Sequence, residues 1–538
     1  MNERTMSGLR LGIDVGGTNT DAVVLDAGDR VLAKAKVPTS VDATAGIGRA
    51  VRTVLDNSGC PPASISHVMI GTTHATNAIL ERSKLGRVAV IRVAGPATHM
   101  LPPMASWPDD LRESVEAGSI IIPGGAEMDG TDVYPLDVGS LGAFFGSLDR
   151  FDAVAIVSTF APVTNRHEVR TREAVISLIG RGMPIVLSSE VGSIGLIERE
   201  NATILNAALA TVAARVTRAV QHAIASCGID AVTYFAQNDG TLMSLDYVRL
   251  LPVLTIGSGP ANSIRGAAYL SGCDNAIVVD VGGTSADVGV LASGFPRISA
   301  LPVDIGGVRT NFRMPDLVSM ALGGGSVVGG TPDAPVVGPA SVGFRIAEAA
   351  RVFGGAVTTA TDAAVAAGRC RIGTHPSPVE NAMARSVMDL VGSMITDAVD
   401  RVKLAPGDQP LVAVGGGSFL IPDSLPGVSG VIRPRHYEVA NAIGAAIASV
   451  SGNIDQIYDV AGVGRAAVLS RARTDAIRQA VLHGADPEGT EVVDLEELSL
   501  QYLPSSRLRI RAKAAGPLAA AATSPDGHGR PPEPGDFS

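Results

Sequence analysis

The residues best suited to chemistry lie in glycine-rich clusters. Residues 14–18 read Asp-Val-Gly-Gly-Thr. A phosphate approaching such a turn needs bare backbone N–H donors and no Cβ in its way, which Gly16 and Gly17 supply, while Thr18 adds a hydroxyl and Thr20 a lesser contribution. Asp14 stands where a strand would end, suited to a hydrated Mg²⁺, because this hard cation takes one or two carboxylates, several waters and nucleotide oxygens. Asp280, Gly282, Gly283, Thr284 and Ser285 repeat the set. One Gly-Gly turn beside an Asp is ordinarily only a hairpin tip, whereas two copies point to function. A third cluster, Gly415, Gly416, Gly417 and Ser418 in LVAVGGGSFLIP, follows a buried-strand run. Its backbone is suited to packing on a flat adenine ring and ribose.

These clusters need elements to position them, and self-comparison shows which. LGIDVGGTNTDAVVL at 11–25 recurs as IVVDVGGTSADVGVL at 277–291, an offset of 266 residues with eight of fifteen positions identical. Solenoid repeats recur every ~20–50 residues, so this wide spacing marks two related lobes instead. Each copy reads as strand, Gly-Gly turn and strand, a β-hairpin with a small-residue tip. In the first lobe VLAKAKVP supplies a third strand, followed by a helix over 46–55, the strand HVMIG, a helix over 75–85 and the strand RVAVIRV. FDAVAIVSTF, a helix over 167–179 and MPIVLSS form a second α/β passage. A long helix over about 197–225, with Ile204, Leu205, Leu209, Val212 and Val216 at core-facing spacing, is expected to connect the lobes. The expected division is a first lobe over 8–195, a second over 196–450, a small C-terminal α/β region over 451–516 and a disordered Pro/Gly-rich tail over 517–538.

Composition bounds the function. The 538 residues carry 43 Lys and Arg against 53 Asp and Glu, a net charge of -10. The sequence pI is about 5.4. With no basic block, nucleic acid and anionic membrane surfaces are disfavoured as partners. Apolar runs break well short of the ~20 residues of a membrane span. The four cysteines, Cys60, Cys227, Cys273 and Cys370, show no paired spacing. They argue against a disulfide framework, a cysteine zinc site or a local iron–sulfur motif. The expectation is a multidomain cytoplasmic protein.

The three glycine clusters, in this order, resemble the phosphate-1, phosphate-2 and adenosine motifs of the acetate and sugar kinase/heat-shock/actin superfamily. GTTHATNAILER, TNRHE, ERENATILNAAL, SGPANSIRGA, VDVGGTSADVGV, LGGGS, VGPASVG and TDAAVAAGR further resemble, in order, the A-type subunits of the hydantoinase/oxoprolinase family, over about residues 9–450. The resemblance implies an α/β fold of two duplicated ribonuclease H-like lobes with an interlobe nucleotide cleft and a small C-terminal appendage. It also implies ATP and Mg²⁺ as cofactors, Asp14 and Asp280 as metal-managing residues, and Gly324 and Gly325 of LGGGS among the nucleotide-binding residues. Position 74 is His where the family usually has an aliphatic residue, and FRIAEAARVFGG replaces the family's PGPxCYGxGG segment.

The implied activity is ATP-dependent ring opening of a cyclic amide, such as a hydantoin, 5-oxoproline or lactam, by phosphorylation of its carbonyl oxygen. A separate B-type or other hydrolase subunit and an oligomeric assembly are expected. The GTTHATNA loop is expected to face the transferring phosphoryl or the substrate carbonyl. Thr72, Thr73 and Asn77 are the candidates there, with His74 as an acid/base or substrate contact. A Thr-rich helix start is also an ordinary cap. His167 and Glu168 of TNRHE are read as capping residues, with catalysis as the alternative. Two other functions compete: the ATPase or kinase subunit of a ketone carboxylase, and a non-catalytic actin- or chaperone-like nucleotide switch.

Overall fold

The computed structural model describes residues 8–39, 43–192, 194–299, 301–404, 407–498 and 507–519. Nearly all of the segment 517–538 expected as a tail lies outside them. The first repeat forms a hairpin as its pattern requires: β1 (Leu9–Val15) pairs antiparallel with β2 (Asn19–Leu25), which pairs with β3 (Val31–Pro38). β1 also pairs in parallel with β4 (Ile65–Thr72). β1 and β4 are apolar almost throughout because helices cover both faces of the sheet.

The chain then leaves this sheet. β5 (Val88–Gly95), β6 (Glu116–Pro123), β7 (Ala153–Ser158) and β8 (Ile185–Leu187) form a separate parallel sheet of order β6-β5-β7-β8. The 31-residue helix Leu196–Ser226 fills the space between the two sheets. Ala213, Val220 and Ile224 join the core beneath β1 and β4, whereas Ile204, Leu205 and Leu209 pack on β5 and β7. The expected connecting helix is therefore the interior of the first lobe. After it, β9 (Val232–Ala236) and β10 (Leu242–Ser244) return to the first sheet.

The second repeat builds a smaller sheet on the same plan. β11 (Ala276–Val281) and β12 (Ala286–Ala292) form the hairpin, β11 runs parallel to Gln409–Val414, and Leu317–Met320 pairs with β12. The C-terminal strands Val450–Asp459, Glu491–Leu498 and Arg507–Gly516 join the first sheet rather than forming an appendage. They extend it to nine strands through the pairing of Leu242 with Val450. Periodicity specifies that a segment is a strand, but edge partners come from tertiary contacts, so membership of this sheet was invisible in the sequence.

Two helices join the lobes. Ser258–Ser271 packs against β11 and Gln409–Val414, and Ala440–Ala446 lies across β1 and β2. Their backbones nearly touch: a Cβ at Gly266 would stand 1.9 Å from Ala440 O, and one at Gly444 would stand 1.9 Å from Asn262 O. Only glycine permits this approach, which brings both hairpin tips to one crevice. Among the described residues, no helix is long and apolar enough to cross a membrane.

Candidate functional site

The two glycine turns face one another. A Cβ built on Gly283 would lie 3.0 Å from the Thr18 side chain. Gly16 N–H and Gly282 N–H close the turns onto Asn19 O and Ser285 O. The amides of Gly17, Thr18, Gly283 and Thr284 donate to no backbone or side-chain acceptor among the described residues. Each tip thus presents successive free N–H donors to the crevice, the arrangement an anion needs. Thr20 is buried behind the first tip, with its hydroxyl 3.4 Å from that of Thr39, which donates to Gly16 O.

Below the tips the carboxylates converge. Asp14 is opposite Asp21 across the first hairpin, and Asp280 is opposite Asp287 across the second. Directly opposed residues share a face of the sheet. Asn441 Nδ2 donates to Asp14 Oδ2 at 2.8 Å, and Ser263 Oγ donates to Asp280 Oδ2, so each lobe's carboxylate is held by a residue of one joining helix. Among the described residues, Asp14 Oδ1 is buried without a hydrogen-bond partner, and the Asn262 amide lies beside it without hydrogen-bonding geometry. Burial, with the charges of Asp21 and Asp280 nearby, pushes Asp14 up to about 7. Burial raises Asp280 above the usual carboxylate range, and it raises Asp21 despite the ion pair with Lys36 Nζ at 2.7 Å. Asp287, partly screened from solvent and beside Asp280, is pushed up to about 6. Anionic groups crowded in a desolvated crevice favour a cation or protons.

The third cluster seals the base of this crevice. Gly417 N–H donates to Val281 O, and a Cβ at Gly415, whose φ is +85°, would stand 2.0 Å from Asp280 Oδ1. The position therefore excludes a side chain on both conformational and steric grounds. Ser418 is buried and its hydroxyl has no hydrogen-bond partner among the described residues. A Cβ at Gly416 would stand 4.0 Å from Lys36 Nζ. Gly324 and Gly325 occupy a different layer: their N–H groups donate to Gly282 O and Gly283 O at 3.0 and 2.7 Å. With those donors occupied, they orient the second turn from behind.

The GTTHATNA loop divides between two environments. Thr73 N–H and Oγ1 both donate to Val15 O, at the end of β1, and its methyl is near Gly259. Asn77 lies one turn on, with its N–H donating to Thr73 O. His74 instead turns into the first lobe, with Nδ1 2.6 Å from Thr72 Oγ1. There it lines a cavity of about 20 Å³ with Leu209, Val212 and Val216. That volume holds little more than a water, and burial lowers the His74 pKa.

His167 and Glu168 are also structural in their contacts. Gly125 N–H donates to His167 Nδ1 at 2.9 Å, and His167 Nε2 is 3.1 Å from Asp132. Glu168 is fully buried and accepts from Ser158 N–H, Ser189 N–H and Ser188 Oγ. These bonds tie the ends of β7 and β8 to the helix start at Arg166. Side-chain oxygens accepting from the helix's own N–H groups, the expected capping mode, are not the role observed.

Sequence reasoning missed Asp21, Asp287, Lys36, Ser263 and Asn441. The aspartates carried a signal, since they occupy equivalent positions of the repeat. Lys36 emerges from strand register alone, and Asn441 lies 427 residues from its partner.

Comparison with known proteins supplies the family. Residues 10–179 match the hydantoinase/oxoprolinase N-terminal region, and residues 199–378 match the hydantoinase/oxoprolinase domain. The chain belongs to the hydantoinase/oxoprolinase family. It is 29% identical over 397 residues to caprolactamase subunit alpha of Pseudomonas jessenii, covering 67% of this chain and 54% of that protein. It is 28% identical over 389 residues to the acetophenone carboxylase gamma subunit of Aromatoleum aromaticum, covering 66% and 52%. This family member thus spans about half the length of the curated relatives it matches. Its fold is shared with the ATP-dependent caprolactamase from Pseudomonas jessenii, at a TM-score of 0.75 and 21% identity, covering 95% of this chain and 88% of the other. Nucleotide-free acetone carboxylase superposes with a TM-score of 0.68 at 17% identity, covering 97% and 90%.

Proposed function

We propose that the chain is the ATP-binding subunit of an enzyme that opens a cyclic amide, acting with a separate hydrolase subunit. The observation that carries this reading is the apposition of the two glycine turns, with Thr18 against Gly283, over the crevice containing Asp14 and Asp280. The turns would bind phosphates from opposite sides, and Gly415–Ser418 would pack on adenosine. Thr73 and Asn77, beside the end of β1, would face the transferring phosphoryl or the substrate carbonyl.

The residues fit Mg²⁺ because Asp14 Oδ1 is buried and lacks a partner among the described residues. Among the described residues, no three His, Cys, Asp or Glu converge as a metal cage. A divalent cation would thus take its remaining ligands from water and phosphate, as Mg²⁺ commonly does. Asp14 and Asp280 would hold such a cation, whose chemistry there would be neutralisation of triphosphate charge.

An amide is a poor electrophile. Transfer of the γ-phosphoryl to its oxygen, with ADP leaving, would give a phosphorylated imidate; water adds at its carbon, the ring C–N bond breaks as the adduct collapses to an acyl phosphate, and a second water releases phosphate and leaves the ring-opened amino acid. The protein's contribution is positioning and charge stabilisation. The caprolactamase relative supports this reading. The acetophenone carboxylase relative favours a second one, in which the same crevice activates a ketone for carboxylation.

Calorimetric titration of the chain with MgATP, followed by phosphate-release assays with lactams, hydantoins, 5-oxoproline or ketones plus bicarbonate in the presence of the co-purifying subunit, tests the proposal. Saturable nucleotide binding and amide-stimulated turnover are expected. Absence of binding overturns the nucleotide site, and stimulation by ketone and bicarbonate alone selects the second reading.

A further inference from the structure

The two lobes repeat the same carboxylate pair but not its neighbour on the third strand. In the first lobe, β3 places Lys36 opposite Asp21. In the second, Leu317–Met320 places Ser319 opposite Asp287, and Ser319 Oγ donates to Asp287 Oδ1. The crevice therefore has four carboxylates, while Lys36 is the one cation among the described residues that ion-pairs with any of them. Its position is not confined to its own lobe. Its ammonium reaches the glycine turn at Gly416 and acts electrostatically on Asp280, both in the second lobe.

A lysine needed only to join β2 and β3 would have no reason to span the crevice. Its four-carbon stem and three rotatable donors allow it to change partners, as a compact charge for phosphate binding must. The Lys36 side chain is 33% exposed, against 3% for the carboxylate it pairs with, so the lysine is not sealed in with its partner.

We propose that Lys36 is a nucleotide-binding residue that crosses the crevice from β3 to contact the phosphates, exchanging its ion pair with Asp21 for one with a phosphate oxygen. The inference rests on the nucleotide-cleft reading above and adds a residue from outside the glycine motifs. No bond to carbon or phosphorus is made by Lys36, and no proton leaves it. The charge-assisted contact favours nucleotides that place a phosphate oxygen between the two tips.

The test measures binding of MgATP, MgADP and AMP to the full chain for wild type, Lys36→Met and Lys36→Arg. Wild-type binding is measured first: if wild type binds no nucleotide, the nucleotide-cleft reading itself fails. If wild type binds, Lys36→Met is expected to weaken MgATP about 10- to 100-fold, MgADP less and AMP least, while Lys36→Arg retains affinity within about threefold. Equal MgATP affinity in wild type and Lys36→Met overturns the Lys36 assignment alone. A uniform loss for all three nucleotides, unrescued by arginine, also overturns it by showing a structural role. Wild-type protein gives a second measurement independent of variant folding. MgATP is expected to protect Lys36 from an amine-acylating reagent, as mapped by mass spectrometry, and unchanged labelling counts against the proposal.

Discussion

The two lobes repeat one another, and their departures from symmetry are more informative than the repetition. Each begins with an antiparallel hairpin whose opposed aspartates face the crevice, and each has a parallel strand beside the first. After that strand the first lobe continues into the Thr-rich helix start at Thr73, whereas the second continues into Gly415–Ser418. Beyond the two matching tips, the first lobe therefore adds the hydroxyl of Thr73 and the ammonium of Lys36, and the second adds a glycine turn. One hairpin plan has thus acquired two different neighbours, which under the proposed function would face opposite ends of the nucleotide.

The sharpest way to break this comparison is to remove the equivalent carboxylates. Asp14→Ala and Asp280→Ala are each expected to abolish ATP turnover, with circular dichroism unchanged; full activity in both would remove the proposed metal role. The next largest effect concerns close packing. Gly415→Ala and Gly71→Ala would each drive a Cβ into a crevice aspartate, 2.0 Å from Asp280 Oδ1 and 2.2 Å from Asp14 Oδ1. Turnover should fall by about 100-fold in each. Gly17→Ala, with nothing within 4 Å of the added carbon, should lose less than either. Equal losses at all three sites would mean that exposure of the tip matters more than packing beneath it.

The pH dependence of stability also separates the lobes. Asp14 and Asp287 titrate higher in the folded chain, at about 7 and about 6, than their ordinary value near 3.8. Both therefore favour folding while protonated. Each contributes stability that is lost as pH rises from about 4 through its folded value, so the melting temperature of nucleotide-free Asp14→Asn relative to wild type should rise across that range, and by more than that of Asp287→Asn; the buried histidines, whose lowered values act in the opposite sense, are common to all three proteins. Thermal melts across that range check the sign. A difference from wild type that stays constant with pH in both variants would contradict the burial of these groups.

Smaller effects are expected away from the crevice. Glu168→Gln replaces a buried acceptor of three hydrogen bonds and should destabilise the fold by about 1–3 kcal/mol without altering nucleotide affinity. Denaturant titration and ATP binding, measured together, check both halves. His74→Leu should change turnover least, since the imidazole lines a cavity inside the first lobe.

Much of the positioning apparatus was legible because it is local. The repeat identified both hairpins, short apolar runs located β4, β5 and β7, and helical spacing located Leu196–Ser226. Asp14, Asp280 and the three glycine clusters do meet, as their order suggested. The same reasoning could not distinguish Gly415, packed on Asp280, from Gly325, whose N–H faces the back of a turn. Both are glycines in triplets, and only the direction of the donor separates them. Adjacent Thr73 and His74 likewise turn to opposite environments at a helix start.

By itself, the sequence determined the hairpins, their duplication and the chemistry their tips offer, because tight turns and strand periodicity depend on neighbouring residues. Tertiary structure alone decided that the C-terminal strands complete the first sheet, that Asn441 holds Asp14, and that Lys36 reaches the opposite lobe. Those outcomes depend on close backbone packing and sheet register between segments hundreds of residues apart, which no local pattern encodes.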